Sequence, residues 1–163
     1  MATATTARDL VAADLPWVHR LNQANGEALS FMAAEDFAAM AERARFARVI
    51  APEAAFLLAF DQAPTDESPN FDWFKAAWGD GFLYLDRVAV DGRHRRQGLA
   101  DRLYGDLAAF ARAAGYRRIG CEVNIDPPNP ASEAFHARQG FRPVGEARLE
   151  SRGKTVRYFA LDL

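Results

Sequence analysis

The stretch that most constrains this chain runs from residue 82 to residue 114. Phe82-Leu-Tyr-Leu-Asp-Arg-Val-Ala-Val90 is apolar and rich in β-formers, and it reads as a strong strand. It enters Asp91-Gly92-Arg93-His94-Arg95-Arg96-Gln97-Gly98, a basic loop bounded by glycines. Leu99, Leu103, Leu107, Phe110 and Ala114 then fall on one face of a long helix that Gly115 ends. A strand that turns through a tight loop into a long amphipathic helix calls for a helix packed on a sheet, hence a mixed α/β architecture.

The loop also carries chemistry. A helix start exposes unpaired backbone N–H groups and the positive end of the helix dipole, and both suit a pyrophosphate. Gly98 lets the backbone come close to phosphate oxygens, and Ala100 keeps the next turn small. Arg93, Arg95 and Arg96 add positive charge. A Walker-type phosphate loop is excluded because no Gly-Lys-Ser/Thr follows. A dinucleotide fingerprint is disfavoured because no Gly-x-Gly precedes Gly98.

The other elements follow from periodicity. Asp14 and Pro16 open a first helix striped by Leu15, Val18 and Leu21, with Asp14 as its cap. A second helix covers residues 35–45, with Phe37, Met40 and Ala44 inward. Residues 47–51 and 55–60 read as antiparallel strands around Pro52-Glu53. Residues 61–80 form an aromatic insertion of one helical turn or two, holding Phe71, Trp73, Phe74 and Trp78. A strand over 118–124, a stiff Pro-rich loop, a short helix over 131–138 and strands over 141–150 and 155–163 complete a single domain of 163 residues. Residues 1–8 read as a loose leader.

Lys and Arg total 20 against 22 Asp and Glu, a balance that argues against a dedicated nucleic-acid binder. The one cysteine, Cys121, allows no internal disulfide and no cysteine-built metal site, and it reads as a small core residue. His19 and His94 lack metal-ligand spacing, so no metal is expected. No apolar run approaches the roughly 20 residues that span a bilayer, and the start is no secretory signal. A cytoplasmic location fits.

Arg95-Arg96-Gln97-Gly98-Leu99-Ala100 matches the pattern Arg/Gln-x-x-Gly-x-Gly/Ala, and here the chain resembles the GNAT superfamily of N-acetyltransferases. Val90, five residues before Arg95, also fits, although the proline common after this strand is Gly92 here. Cys121-Glu-Val-Asn124 looks like the family's next strand. Asn129, Phe135-His136 and Gly140-Phe141 look like its Asn…Leu-Tyr…Gly-Phe ending. The resemblance is close over residues 80–145.

It implies a twisted, mainly antiparallel sheet with a splayed parallel central pair and helices on both faces. It implies acetyl-CoA as acyl donor, held by the backbone of Val88, Ala89 and Val90 and by Arg95, Arg96, Gln97, Gly98, Leu99, Ala100 and Asn129. Asn129 is equally suited to capping the short helix. By the same resemblance the N–H of Val90 steadies the thioester carbonyl. His136 stands where the family often has a tyrosine that protonates the leaving thiolate; a histidine can donate a proton or simply pack.

Amine acetylation needs a proton acceptor. Asp86 and Glu122 sit on the strands flanking the expected gap and are the candidate bases, with a salt bridge to Arg87 or Arg118 as the plain alternative. By the period-two rule Asp86 shares a face with Val88 and Val90, while Glu122 lies opposite Cys121 and Val123. Asn22, Asn25 and Glu27 are candidates to bind a polar acceptor, or else a solvated helix end. Phe71, Trp73 and Phe74 are candidates to line the acceptor, or else a packed lid or a homodimer contact. The function expected is transfer of an acetyl group to an amine of a small molecule or a protein. The rivals are a catalytically silent acyl-CoA-binding module and a protein-docking module built on the aromatic insertion.

Overall fold

The computed structural model describes residues 6–163. In chain order the elements are β1 (Thr6–Asp9), α1 (Leu15–Ala24), α2 (Gly26–Leu29), α3 (Ala34–Arg43), β2 (Phe46–Ala51), β3 (Ala55–Phe60), α4 (Pro69–Trp78), β4 (Phe82–Val90), α5 (Leu99–Ala113), β5 (Arg118–Asp126), α6 (Pro130–Arg138), β6 (Arg142–Leu149) and β7 (Lys154–Asp162). The strands form one sheet in the order β1-β2-β3-β4-β5-β7-β6. Every neighbouring pair is antiparallel except β4 and β5, which run parallel.

Helices cover both faces, so the central strands are apolar on both sides. All of β3 is buried. On one face α5 seats Leu99, Leu103 and Leu107 against Leu57, Leu83, Leu85, Ile119 and Cys121. On the other, α1 and α3 bring Val18, Phe37 and Met40 onto Val49, Phe56, Leu58 and Ala89. Beside them α4 lays Phe71 and Phe74 over Phe82, Tyr84, Val156 and Tyr158.

Several local expectations change. Thr6–Asp9 is no leader: it pairs with β2 as an edge strand, and Arg8 grips Asp14 with two hydrogen bonds of 2.7 and 2.9 Å. Residues 1–5 lie outside the described residues. Asp14 stands at the N-cap position of α1, but its side chain makes no capping bond to that helix. Its carboxylate accepts the Val11 N–H and the Trp17 indole N–H, and Arg8 above all holds its pKa down to about 2. On α3 Phe37, Met40 and also Ala41 are buried, and Ala44, just past the helix end at Arg43, is half-buried against the same core. The aromatic insertion holds a helix of 10 residues with Pro69 in its first turn.

On β4 the simple alternation fails. Ala59 pairs with Leu85 and Leu58 pairs with Arg87, so Asp86 is an extra residue on its strand. The bulge reverses the parity: Leu83 and Leu85 face α5 before it, Val88 and Val90 after it. Asp86 therefore does not share a face with the two valines.

Candidate functional site

β4 and β5 are in register only from Phe82↔Arg118 to Tyr84↔Gly120, and then they part. The Asp91 N–H donates to Ala54 O, towards β3, at 2.7 Å. Successive strand residues turn their N–H groups to alternate sides, so those of Val90 and Val88 point into the gap. Ala89 is turned the other way: it pairs with Phe56 on β3 and its side chain lies in the core under α1.

At the open end of the gap the chain makes the basic loop. The Asp91 carboxylate accepts the backbone N–H and the Nε–H of Arg93, both at 2.9 Å. Arg96 and Gly98 take positive φ values of 63° and 73°, and Leu99 begins α5. Among the described residues none accepts a hydrogen bond from the backbone N–H groups of Gly98, Leu99, Ala100 or Asp101. Arg95, Arg96 and Gln97 are exposed beside them. These donors and the start of a helix of 15 residues face one patch of solvent, the arrangement that holds a phosphate.

Deeper between the parted strands lies a cavity of about 210 Å³, walled by Val88, Tyr104, Glu122 and His136 among others. Glu122 projects into it from the face of β5 opposite Cys121 and Val123. The Tyr84 hydroxyl donates to Glu122 Oε1 through a very short contact and lies 3.1 Å from Oε2. Burial first, and then the charge of Asp86, push the Glu122 carboxyl up to about 8, against the opposing pull of the Tyr84 hydrogen bond. Burial and the same two carboxylates push the Tyr84 phenol well above its ordinary range, so it stays a donor. Asp86 is already engaged: Arg87 Nε donates to it at 2.7 Å, and Arg87 Nη1 donates to Asn22 Oδ1 at 2.8 Å. Glu122 makes no bridge to Arg118.

The comparisons with known proteins agree with this geometry. A model of the "Acetyltransferase (GNAT) family" matches residues 25–141, well over half the chain. The chain belongs to the GNAT family. No curated protein sequence matches it significantly. Its fold is similar to the ribosomal-protein-S18-alanine N-acetyltransferase of Escherichia coli, at TM-score 0.70 and 22% identity, over 96% of this chain and 92% of that one. It is also similar to Ard1 of Thermoplasma volcanium, at TM-score 0.76 and 16% identity, over 99% of both chains. A third similar structure is Arabidopsis thaliana NAA60 in complex with acetyl-CoA, at TM-score 0.74 and 14% identity, over 97% and 98% of the two chains.

Against the GNAT pattern, His136 is the departure, and its surroundings define its state. It is buried on α6, with Nδ1 2.7 Å from Ser132 O. A carbonyl oxygen only accepts, so Nδ1 carries the hydrogen. Burial lowers the pKa of the ring and keeps it neutral, so Nε2 is an acceptor. It takes the hydroxyl hydrogen of Tyr104 at 2.8 Å. Burial holds that phenol well above its ordinary pKa. The expected tyrosine is thus absent from position 136, but a phenol enters the same cavity from α5. Asn129 lines the cavity and also caps α6, its Oδ1 accepting the Ser132 N–H at 3.2 Å. Cys121 is buried, which pushes its thiol well up and keeps it protonated.

The acceptor residues expected from sequence are mostly structural. Asn22 is fully buried; besides accepting from Arg87 it donates to Ser30 O at 3.1 Å, which holds the chain after α2. Asn25 donates to Leu21 O at 2.9 Å, and Glu27 is exposed outside the cavity. Phe71 and Phe74 are core residues, and Trp73 stacks on Tyr158 with centroids 4.2 Å apart. From α4 it is Asn70 that reaches the cavity. Two cavity residues have no signal in the sequence, Arg152 and Lys154, while Tyr104 also lines the cavity although it lies early in the long helix for a stand-in for the family tyrosine. Tyr84, which no motif singles out, is tied to the cavity through its hydroxyl's contact with Glu122. Among the described residues no helix is long and apolar enough to cross a membrane, and no cluster of three or more His, Cys, Asp or Glu is placed to hold a metal.

Proposed function

We propose that this GNAT protein transfers an acetyl group from acetyl-CoA to an amine by direct attack. The observation that carries the reading is the continuity of three features: the free N–H groups at the start of α5, the unpaired edge of β4 at Val88 and Val90, and a cavity holding Glu122. That line suits a long ligand with a phosphate end and a reactive end. The NAA60 structure similar in fold was solved with acetyl-CoA, which supports the same ligand here.

In this reading a C–N bond forms as the C–S bond of the thioester breaks. Glu122 takes the proton of the acceptor ammonium; a carboxyl titrating at about 8 is matched to that task near neutral pH. The N–H of Val90 donates to the carbonyl oxygen as negative charge gathers on it. Tyr104, held on His136, turns its one hydroxyl hydrogen from Nε2 to the departing thiolate and regains a proton from solvent, and neutral His136 acts through it as a positioning residue. Arg95, Arg96 and Gln97, with the N–H groups of Gly98, Leu99 and Ala100, hold the pyrophosphate. Asp86, neutralised by Arg87, sets the charge around Glu122 and is not itself the base.

The docking alternative keeps little surface, because Phe71 and Phe74 are buried and only Trp73 and Trp78 of the insertion's aromatics are half-exposed. The silent-module alternative predicts acetyl-CoA binding without turnover on any amine. The test is a calorimetric titration with acetyl-CoA, beside Gly98→Glu, followed by thiol release with a panel of amines. One-to-one binding lost in the variant, with turnover in the unaltered protein, is the expected result. Absence of binding by folded, cofactor-free protein refutes the reading.

A further inference from the structure

Three cationic side chains, Arg87, Arg152 and Lys154, wall the cavity that holds Asp86 and Glu122. With both carboxyls ionised, one net positive charge remains. Such a wall disfavours a polycationic acceptor. Arg87 is spent on Asp86 and Asn22. Arg152 and Lys154 are not: neither side chain forms an ion pair or a hydrogen bond among the described residues. Their neighbours on the same hairpin are paired, Arg148 with Asp126 and Arg157 with Glu133 and Glu146. Lys154 feels the Glu122 carboxyl through space but pairs with no anion, and Arg152 pairs with none, so the two cations leave room for an anion from outside. Arg152 also repels Lys154, and an anion between them relieves that repulsion.

A second recess of about 180 Å³ shares Asp86, Arg87 and Arg152 with the first and continues between Met32, Met40, Pro64 and Pro69. The two recesses are compact, and in the second Met32, Met40, Pro64 and Pro69 give apolar walls beside the polar Thr65, Glu67 and Ser68.

Resting on the acetyltransferase reading, we propose that the acceptor is a small zwitterion. Its amine sits at Glu122, its anionic group between Arg152 and Lys154, and its apolar side chain in the second recess. An α-amino acid and its aminophosphonate counterpart share this chemistry.

The experiment compares leucine, its aminophosphonate analogue, leucinamide, isoamylamine and spermidine by thiol release, with acetyl-CoA binding measured separately by calorimetry. The expected result is a kcat/KM for leucine or its phosphonate about tenfold or more above those of leucinamide, isoamylamine and spermidine, the loss of one charge-assisted contact. The ratio between carboxylate and phosphonate identifies the anion. Arg152→Gln, an exposed position outside the transfer machinery, should raise KM for leucine about tenfold and leave that for leucinamide unchanged. If acetyl-CoA binds but the zwitterions are not preferred, or are not used, or Arg152→Gln moves both KM values alike, this inference is overturned alone. If acetyl-CoA does not bind, the transferase reading falls with it.

Discussion

Tyr84 and Glu122 face each other across the parallel pair where its strands begin to part. The Tyr84 hydroxyl lies within hydrogen-bond reach of both carboxylate oxygens. The contact couples the last paired step of the sheet to the carboxyl that the proposed chemistry needs. Burial keeps the phenol protonated, so Tyr84 stays a donor to the carboxyl that burial raises to about 8.

Glu122→Gln should keep the shape of the cavity and remove the proton acceptor. With an accepted amine, kcat should fall about 10²–10⁴-fold, while acetyl-CoA affinity changes little. The unaltered protein's kcat/KM should rise with pH through an apparent pKa near 8, and the variant should lack that rise. Steady-state rates over pH 6–9.5 check both.

The same carboxyl predicts a pH-dependent stability. Its pKa in the folded state, about 8, lies above the ordinary 4.5. Between those values the folded state binds more protons than the unfolded one, so stability falls as pH rises across the window. The steepest part is about 1.4 kcal/mol per pH unit. Denaturant melts of the ligand-free protein from pH 5 to 8.5 should show this fall, and Glu122→Gln should flatten it.

Tyr104→Phe removes the only hydroxyl that the neutral His136 ring accepts from, and leaves Nε2 buried without a donor. The expected destabilisation is about 1–3 kcal/mol. If Tyr104 is the proton source, kcat should fall with KM for acetyl-CoA nearly unchanged, and less so with donors whose thiolate leaves more readily. Urea melts and a leaving-group series separate the structural from the chemical effect.

Gly120→Ala tests how α4 is seated. A Cβ at residue 120 would stand 2.7 Å from the Phe74 ring, and one at Gly145 would stand 2.4 Å from Trp73. Overpacking of this kind costs about 1–3 kcal/mol. The variant should melt at lower temperature and lose order in α4, visible in near-ultraviolet circular dichroism.

The parts legible in the sequence were those fixed by neighbours along the chain. The α5 stripe, the apolar run of β3 and the loop over residues 91–98 each depend on local periodicity or on backbone angles at Arg96 and Gly98. The family match and the fold followed from them, including the antiparallel sheet with its one splayed parallel pair.

What the tertiary structure decided lies in contacts between residues far apart in the chain. Tyr104 meets His136 from another helix, which brings a phenol of α5 to the cavity beside the α6 position that has none. The bulge at Asp86 is set by the register with β3, and its carboxylate pairs with Arg87, the plain alternative to a base. Phe71 and Phe74 are core because Gly120, two strands away from their own helix in sequence, leaves room for Phe74. Periodicity along one strand or helix says which face a residue takes, but not what the facing element brings. The loop that suits a phosphate is therefore written locally, while the charge and the cavity that the proposed chemistry uses exist only once the sheet has assembled.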